Sequence, residues 1–206
     1  MRLSIEVGMN YKFLGKIPVE LLQDIKKEIL KKVDEAPTTY RIVQLEKSIA
    51  TQFHKMMFSE SFNNEQFSIG HSKVFISPPG TGCRWIHKDG IDKKCALNVL
   101  VECNPTDWVR WYDDIPEGNI TQPIGTNIAS RDLTNIKFPE TITPNEEVTN
   151  QQPGDCYLIN TDVFHYFKNQ GNNYRLLIQT KFSPNPSIDE VYNRIQQVGL
   201  HGLYSQ

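Results

Sequence analysis

The chain has 206 residues, with 22 Lys and Arg against 24 Asp and Glu and a formal charge of −2. That length lets one domain bury a real core, and the near balance of charge leaves no electrostatic footprint for nucleic acid or an anionic membrane surface. No apolar run approaches the roughly 20 residues that span a bilayer, and the opening Met1-Arg2-Leu3-Ser4-Ile5-Glu6 lacks the apolar stretch of a secretory signal.

The basic residues are scattered except for Lys26-Lys27 and Lys31-Lys32, which read as the solvated face of a helix. Cys83, Cys95, Cys103 and Cys156 show no CxxC spacing, so four reduced thiols in a cytoplasmic protein are expected.

Residues 3–15 alternate weakly, as a strand leading to Gly15 would. From Pro18, Leu21, Leu22, Ile25, Ile29 and Val33 recur at helical steps, and Pro37 ends that pattern. A second helix is predicted over 43–58, with Leu45, Ile49, Phe53 and Met56 on one stripe and His54 beside it in a structural role. After Asn63-Asn64 the texture changes to short β-like runs at 72–77, 83–89, 96–102, 108–112, 156–160, 163–168 and 174–182. Residues 78–82 form a turn cluster, and 169–173 read as a hairpin loop. Many short strands at this spacing indicate a sandwich or barrel, with helices packed outside it. The polar segment 113–150 is too long for an ordinary connection and reads as a lid or as disorder. Ser187-Ile188-Asp189-Glu190 fits a capping box that opens a last helix.

The chemistry-bearing stretch is Arg84-Trp85-Ile86-His87-Lys88-Asp89-Gly90. Side chains alternate along a strand, so Cys83, Trp85, His87 and Asp89 would share one face. One imidazole, one carboxylate and the distant His165 make a 2-His-1-carboxylate set, which holds Fe(II) and leaves coordination positions open. Arg175 follows on the next strand. If 169–173 closes a hairpin, Phe167 faces Arg175 and His165 is a diagonal neighbour at roughly 7–8 Å. That separation suits a small dicarboxylate with one end on the metal and the other on the guanidinium fork. Asn98 and Leu100 fall on one face of the 96–102 strand, and Asn98 is a candidate hydrogen-bond partner for that ligand. Trp85, Trp111 and Tyr112 are candidate pocket walls, although aromatics in a β core are more often plain packing. His71 and His201 lie outside the pattern, and Lys88 and Lys93-Lys94 read as solvated charges.

The order His87-x-Asp89, His165, Arg175 resembles the 2-oxoglutarate/Fe(II)-dependent oxygenase superfamily, in particular its small prolyl-hydroxylase-like and aspartyl-hydroxylase-like members. Pro153-Gly154-Asp155-Cys156-Tyr157-Leu158-Ile159 before His165, and Asn169 before Arg175, resemble the family's closing segment. The likeness covers roughly residues 72–182. It implies a mainly β (α+β) fold, a double-stranded β-helix (jelly-roll or cupin-like) core with flanking, mostly N-terminal helices. One domain would span 1–206, with a helical part about 16–60, a β core about 70–183 and a C-terminal helix about 187–198. It implies Fe(II) on His87, Asp89 and His165, 2-oxoglutarate on Arg175 with Asn98 nearby, O2 as co-reactant and ascorbate as a candidate reductant. The implied activity is a dioxygenase that hydroxylates a C–H bond of a small-molecule or peptidyl substrate and releases succinate and CO2. Two other readings stay open at this point: a cupin-like hydrolase or isomerase using another metal, and a β-sandwich that binds a ligand without chemistry.

Overall fold

The computed structural model describes residues 10–33, 39–82, 85–89, 94–113, 130–132 and 143–203. The strands are β1 (Tyr11–Lys16), β2 (Arg41–Gln44), β3 (Ser68–Ser77), β4 (Trp85–His87), β5 (Cys95–Glu102) and β6 (Trp108–Tyr112). They continue with β7 (Ser130–Asp132), β8 (Glu146–Val148), β9 (Asp155–Asn160), β10 (Phe164–Lys168) and β11 (Arg175–Ser183). They form a six-stranded sheet, β1-β9-β5-β11-β3-β2, and a five-stranded sheet, β7-β4-β10-β6-β8. Every pairing is antiparallel. In chain order β3, β4, β5 and β6 alternate between the sheets, and β8, β9, β10 and β11 do so again. That winding is the expected double-stranded β-helix.

Strand parity sets the two cores. Leu97, Val99 and Val101 of β5 join Leu158 of β9 and Leu176 and Ile178 of β11 on the outer face of the larger sheet. Leu22, Ile25, Ile29, Phe53, Met57, Val191 and Ile195 of the helical segments close that face. Each such side chain taken out of water contributes about 1.5–3 kcal/mol. Ala96 and Leu100 of β5, Tyr157 and Ile159 of β9 and Leu177 of β11 point the other way, toward Val109, Trp111 and Phe167 of the second sheet. Asn98 is buried and shares their parity, so it too faces the gap between the sheets.

The helical expectations hold with shifted bounds. A 3-10 turn (Val19–Leu22) precedes α1 (Gln23–Val33). Three residues per turn send adjacent side chains apart, so Leu22 enters the core while Leu21 is 50% exposed. The helix predicted over 43–58 divides. Arg41–Gln44 is instead β2, with Val43 opposite Val74, because the β-branched pair Ile42-Val43 fits an extended edge strand. Only Lys47–Met57 is helical (α2), with Phe53 and Met57 buried and Met56 packed at the side. His54 bonds through Nε2 to Ser72 Oγ at 2.7 Å, and Ser72 Oγ lies 2.7 Å from Thr180 Oγ1. Burial pulls the His54 pKa down, in keeping with a structural imidazole. Ser187 caps α3 (Ile188–Val198), with both bonds of the capping box formed.

The connection 169–173 departs from the expected hairpin. It does not close a hairpin: β10 pairs with β4 and β6, whereas β11 pairs with β3 and β5 in the other sheet. The segment carries the chain across the sandwich, and its polar groups find partners there. Asn169 donates from Nδ2 to the carbonyls of Ser77 and Asn173, both at 2.8 Å, and accepts from Asn104 Nδ2 at 3.0 Å. Phe167 and Arg175 therefore do not pair along a ladder. They face each other across the gap, with the guanidinium 5.1 Å from the Phe167 ring centroid. Of the segment 113–150, two short strands are described: β7, which extends β4, and β8, which extends β6. Residues 114–129 and 133–142 lie outside the described residues, and so does the lid-or-disorder reading of them. Among the described residues no helix is long and apolar enough to cross a membrane.

Candidate metal centre

His165 on β10 lies directly opposite His87 on β4. Opposed residues of antiparallel strands bring their Cβ atoms to about 4.5–5.5 Å, and the two imidazole centroids stand 4.5 Å apart. The strand predicted over 83–89 is shorter than expected, since β4 ends at His87. Asp89 returns to the site through a bend rather than by strand alternation: its N–H donates to the Thr161 carbonyl at 2.9 Å. Asp89 Oδ1 then lies 3.4 Å from His87 Nε2 and 4.0 Å from His165 Nε2. One ligand atom from each of the three residues lies within 4.8 Å of the others. Donors on one metal at about 2.0–2.2 Å and at right angles are about 3 Å apart, so the set closes on an ion as these separations shrink by up to about 2 Å. Cys83 and the Trp85 side chain are outside the described residues.

The protonation states suit ligation. His165 Nδ1 lies 2.9 Å from the Val163 carbonyl, which can only accept, so the proton sits on Nδ1 and the Nε2 lone pair faces the site. Burial, followed by the neighbouring His87, lowers the His165 pKa to about 4 and keeps the ring neutral. For Asp89, burial acts to raise the pKa, but the His87 hydrogen bond, the Lys181 ammonium and the two imidazoles outweigh it. The carboxyl is held well below its ordinary range. Neutral imidazole and ionised carboxylate are the forms that a metal takes.

Arg175 opens β11 on the gap side and is 2% exposed. It donates from Nη2 to Gln151 Oε1 at 3.3 Å, and its Nε lies 4.0 Å from Asp107 Oδ2. Asp107 is held in turn by the N–H groups of Asn104 at 2.9 Å and Gln170 at 3.1 Å. Arg175, Gln151, Asn98, Tyr157, Trp111 and Leu177 line one interlayer cavity. Asn98 Oδ1 accepts from Gln179 Nε2 at 3.2 Å. Trp111 is fully buried and donates from Nε1 to the Asn160 carbonyl at 3.1 Å.

No protein-family model and no curated protein sequence matches this chain significantly. Solved structures do match. The epimerase SnoN, crystallised with Fe3+, alpha-ketoglutarate and nogalamycin RO, aligns over 84% of this chain and 78% of its own, at 10% identity and a TM-score of 0.54. The viral collagen prolyl hydroxylase vCPH of Paramecium Bursaria Chlorella virus-1, in its 2OG complex, aligns over 85% and 96%, at 10% identity and 0.52. HygX from Streptomyces hygroscopicus, with nickel and 2-oxoglutarate bound, aligns over 85% and 83%, at 10% identity and 0.54. The fold is that of the 2-oxoglutarate/Fe(II)-dependent oxygenases.

The structure adds residues that the spacing did not single out. Gln151 and Tyr157 join the cavity of Arg175 and Asn98. Lys181 forms an ion pair with Asp89 Oδ2, and only 10% of its side chain is exposed. The signal is parity: Arg175, Leu177, Gln179 and Lys181 share one face of a strand whose other face, apart from Thr180, is apolar. Three polar side chains on a buried face need partners there. Lys88 stands 4.9 Å from the Phe164 ring centroid, at the edge of the site. His71 and His201 are exposed and take no part in the cluster.

Proposed function

We propose that this chain is an Fe(II)- and 2-oxoglutarate-dependent oxygenase that hydroxylates a C–H bond of a small-molecule or peptidyl substrate. The observation that carries this reading is the convergence of His87, Asp89 and His165 at one point, with His165 on the same face of β10 as Phe167, the ring that Arg175 packs against. A structural ion pair needs no second imidazole, and a ligand-binding sandwich gains nothing by burying an arginine beside such a set.

In this reading His87 Nε2, Asp89 Oδ1 and His165 Nε2 hold the metal on one side and leave the other positions open. Iron with 2-oxoglutarate and O2 supplies the oxidising chemistry, with succinate and CO2 as co-products and ascorbate as a candidate reductant. Arg175 pairs with the far carboxylate of the cosubstrate and sets its direction, with its guanidinium aligned by Asp107, Gln151 and the Phe167 face. Asn98 supplies a hydrogen-bonding group along the same path. Trp111 and Leu177 exclude water from the walls, which keeps the oxidant directed at substrate.

An anaerobic titration tests the reading. Fe(II) and then 2-oxoglutarate are added to metal-free protein while the visible spectrum is recorded, with H165A and R175A alongside. The expected result is a weak charge-transfer band that needs both additions, disappears in H165A and needs more 2-oxoglutarate in R175A. Wild-type protein that binds neither ligand and shows no band would sink it.

A further inference from the structure

The least expected contact at this centre belongs to Lys181. A long cationic side chain from β11 ends on Asp89 with only 10% of its surface exposed, where burial of its charge needs a partner. The Asp89 carboxylate is divided by this contact. Oδ1 faces both imidazoles, and Oδ2 is bonded to Lys181 Nζ.

We propose that Lys181 is a positioning residue that holds Asp89 to single-oxygen ligation and thereby keeps a coordination position open for the cosubstrate. This inference rests on the oxygenase reading above. Two imidazoles and one carboxylate oxygen leave three positions of an octahedral ion, the two that a chelating keto acid occupies and one more. A carboxylate turned to bind through both oxygens would take one of them. Lys181 blocks that turn by occupying Oδ2.

Charge balance supports the same role. The cations Lys181 and Arg175 match the carboxylates Asp89 and Asp107 they lie against, one to one. A divalent metal and a dianionic cosubstrate add no net charge to that arrangement when they enter as a pair. Without Lys181 the set suits the metal alone better and the metal–cosubstrate pair worse.

That asymmetry separates positioning from mere structural support. In K181M, the affinity for Co(II), used as a spectroscopic probe, is expected to stay equal or to rise, because a neighbouring positive charge is gone. The affinity of the Fe(II) protein for 2-oxoglutarate, read from the anaerobic charge-transfer band, is expected to fall about 10- to 100-fold, the equivalent of one charge-assisted interaction. K181R, which keeps charge and donor, is expected to recover most of it. K181Q retains a donor at similar volume and serves where K181M is unfolded by circular dichroism. Metal and 2-oxoglutarate affinities falling together, or neither changing, would overturn the assignment. A wild-type protein without any band would instead remove the oxygenase reading itself, so the two failures are distinct.

Discussion

His165 sits directly across an antiparallel ladder from His87, with the ring centroids 4.5 Å apart. The two imidazoles come from strands that are far apart in sequence, so register alone brings them together. A slip of one residue in β10 would turn His165 to the opposite face. The flanking pairs Phe167–Val109 and Phe164–Tyr112 hold that register through buried side chains.

The first prediction concerns the three ligating groups. H87A, H165A and D89N should each weaken metal binding by about 100-fold or more. D89N keeps the volume of the side chain and removes the charge that faces both imidazoles and Lys181. Equilibrium dialysis against Fe(II) or Ni(II), with metal quantified in the protein fraction, checks this. Full metal retention in all three variants would show that the cluster is not a metal centre.

Arg175 gives the second. R175M leaves Asp107 buried without its guanidinium neighbour, and breaking a buried pair in this way costs about 3–5 kcal/mol of stability. R175K keeps the charge but not the planar fork. It is expected to fold and to bind 2-oxoglutarate about tenfold or more weakly, the equivalent of one charge-assisted hydrogen bond. Calorimetric titration of the Fe(II) or Ni(II) protein reads this directly. Unchanged affinity in R175K would place the far carboxylate elsewhere.

Much of this site was legible because its signals are local. The alternation of Leu97, Val99 and Val101 against Asn98 and Leu100 fixed which way Asn98 points, and the interlayer cavity agrees. His87, Asp89 and His165 stood out by residue type and order. What misled was connectivity. Asn169-Gln170-Gly171-Asn172-Asn173 has the composition of a tight hairpin loop, and the same residues also suit a crossing between sheets. The strand pairings, and the contacts of Asn169 with Asn104 and Ser77, distinguish the two. Nor does an edge strand such as β2 differ in pattern from the start of a helix, because it is exposed on most of its length. Lys181 does not stand out in the sequence, because a lysine near the end of a strand is usually solvated.

Acid stability is the third prediction. The His165 pKa falls from its ordinary 6.5 to about 4 in the fold, with burial as the largest cause. Between those values the unfolded chain takes up a proton that the native protein refuses, so stability falls as pH drops through that window. The loss is on the order of 3 kcal/mol for metal-free protein by pH 4. Asp89, whose pKa is also depressed, adds a loss of the same sign below its ordinary 3.8. Urea midpoints at pH 7.5, 5.5 and 4.5 should decline in wild type and flatten across the upper window in H165Q. Saturating metal should oppose the decline, since metal and proton compete for Nε2.

The crossing segment supplies the last prediction. A Cβ placed on Gly171 would lie 1.9 Å from Asn104 Cγ. Asn104 cannot yield cheaply: its Nδ2 donates to Asn169 Oδ1 at 3.0 Å and to the Asn173 carbonyl at 3.1 Å, and its Oδ1 accepts from Asn173 N–H at 3.3 Å. G171A should therefore cost about 1–3 kcal/mol, the usual range for overpacking a filled site. Gly80 is the contrasting control. Its φ of +72° strains any other residue, but nothing lies within 4 Å of the added carbon, so G80A should cost only about 1–2 kcal/mol, through the backbone. The two variants also differ in function. Gly171 lies just before Arg175, and its displacement shifts the start of β11 while His87, Asp89 and His165 stay on β4, β10 and the bend at Thr161. G171A is expected to bind metal normally and 2-oxoglutarate weakly, whereas G80A should bind both as wild type does. Equal loss of both ligands in G171A would mean that the crossing supports the whole site rather than the arginine alone.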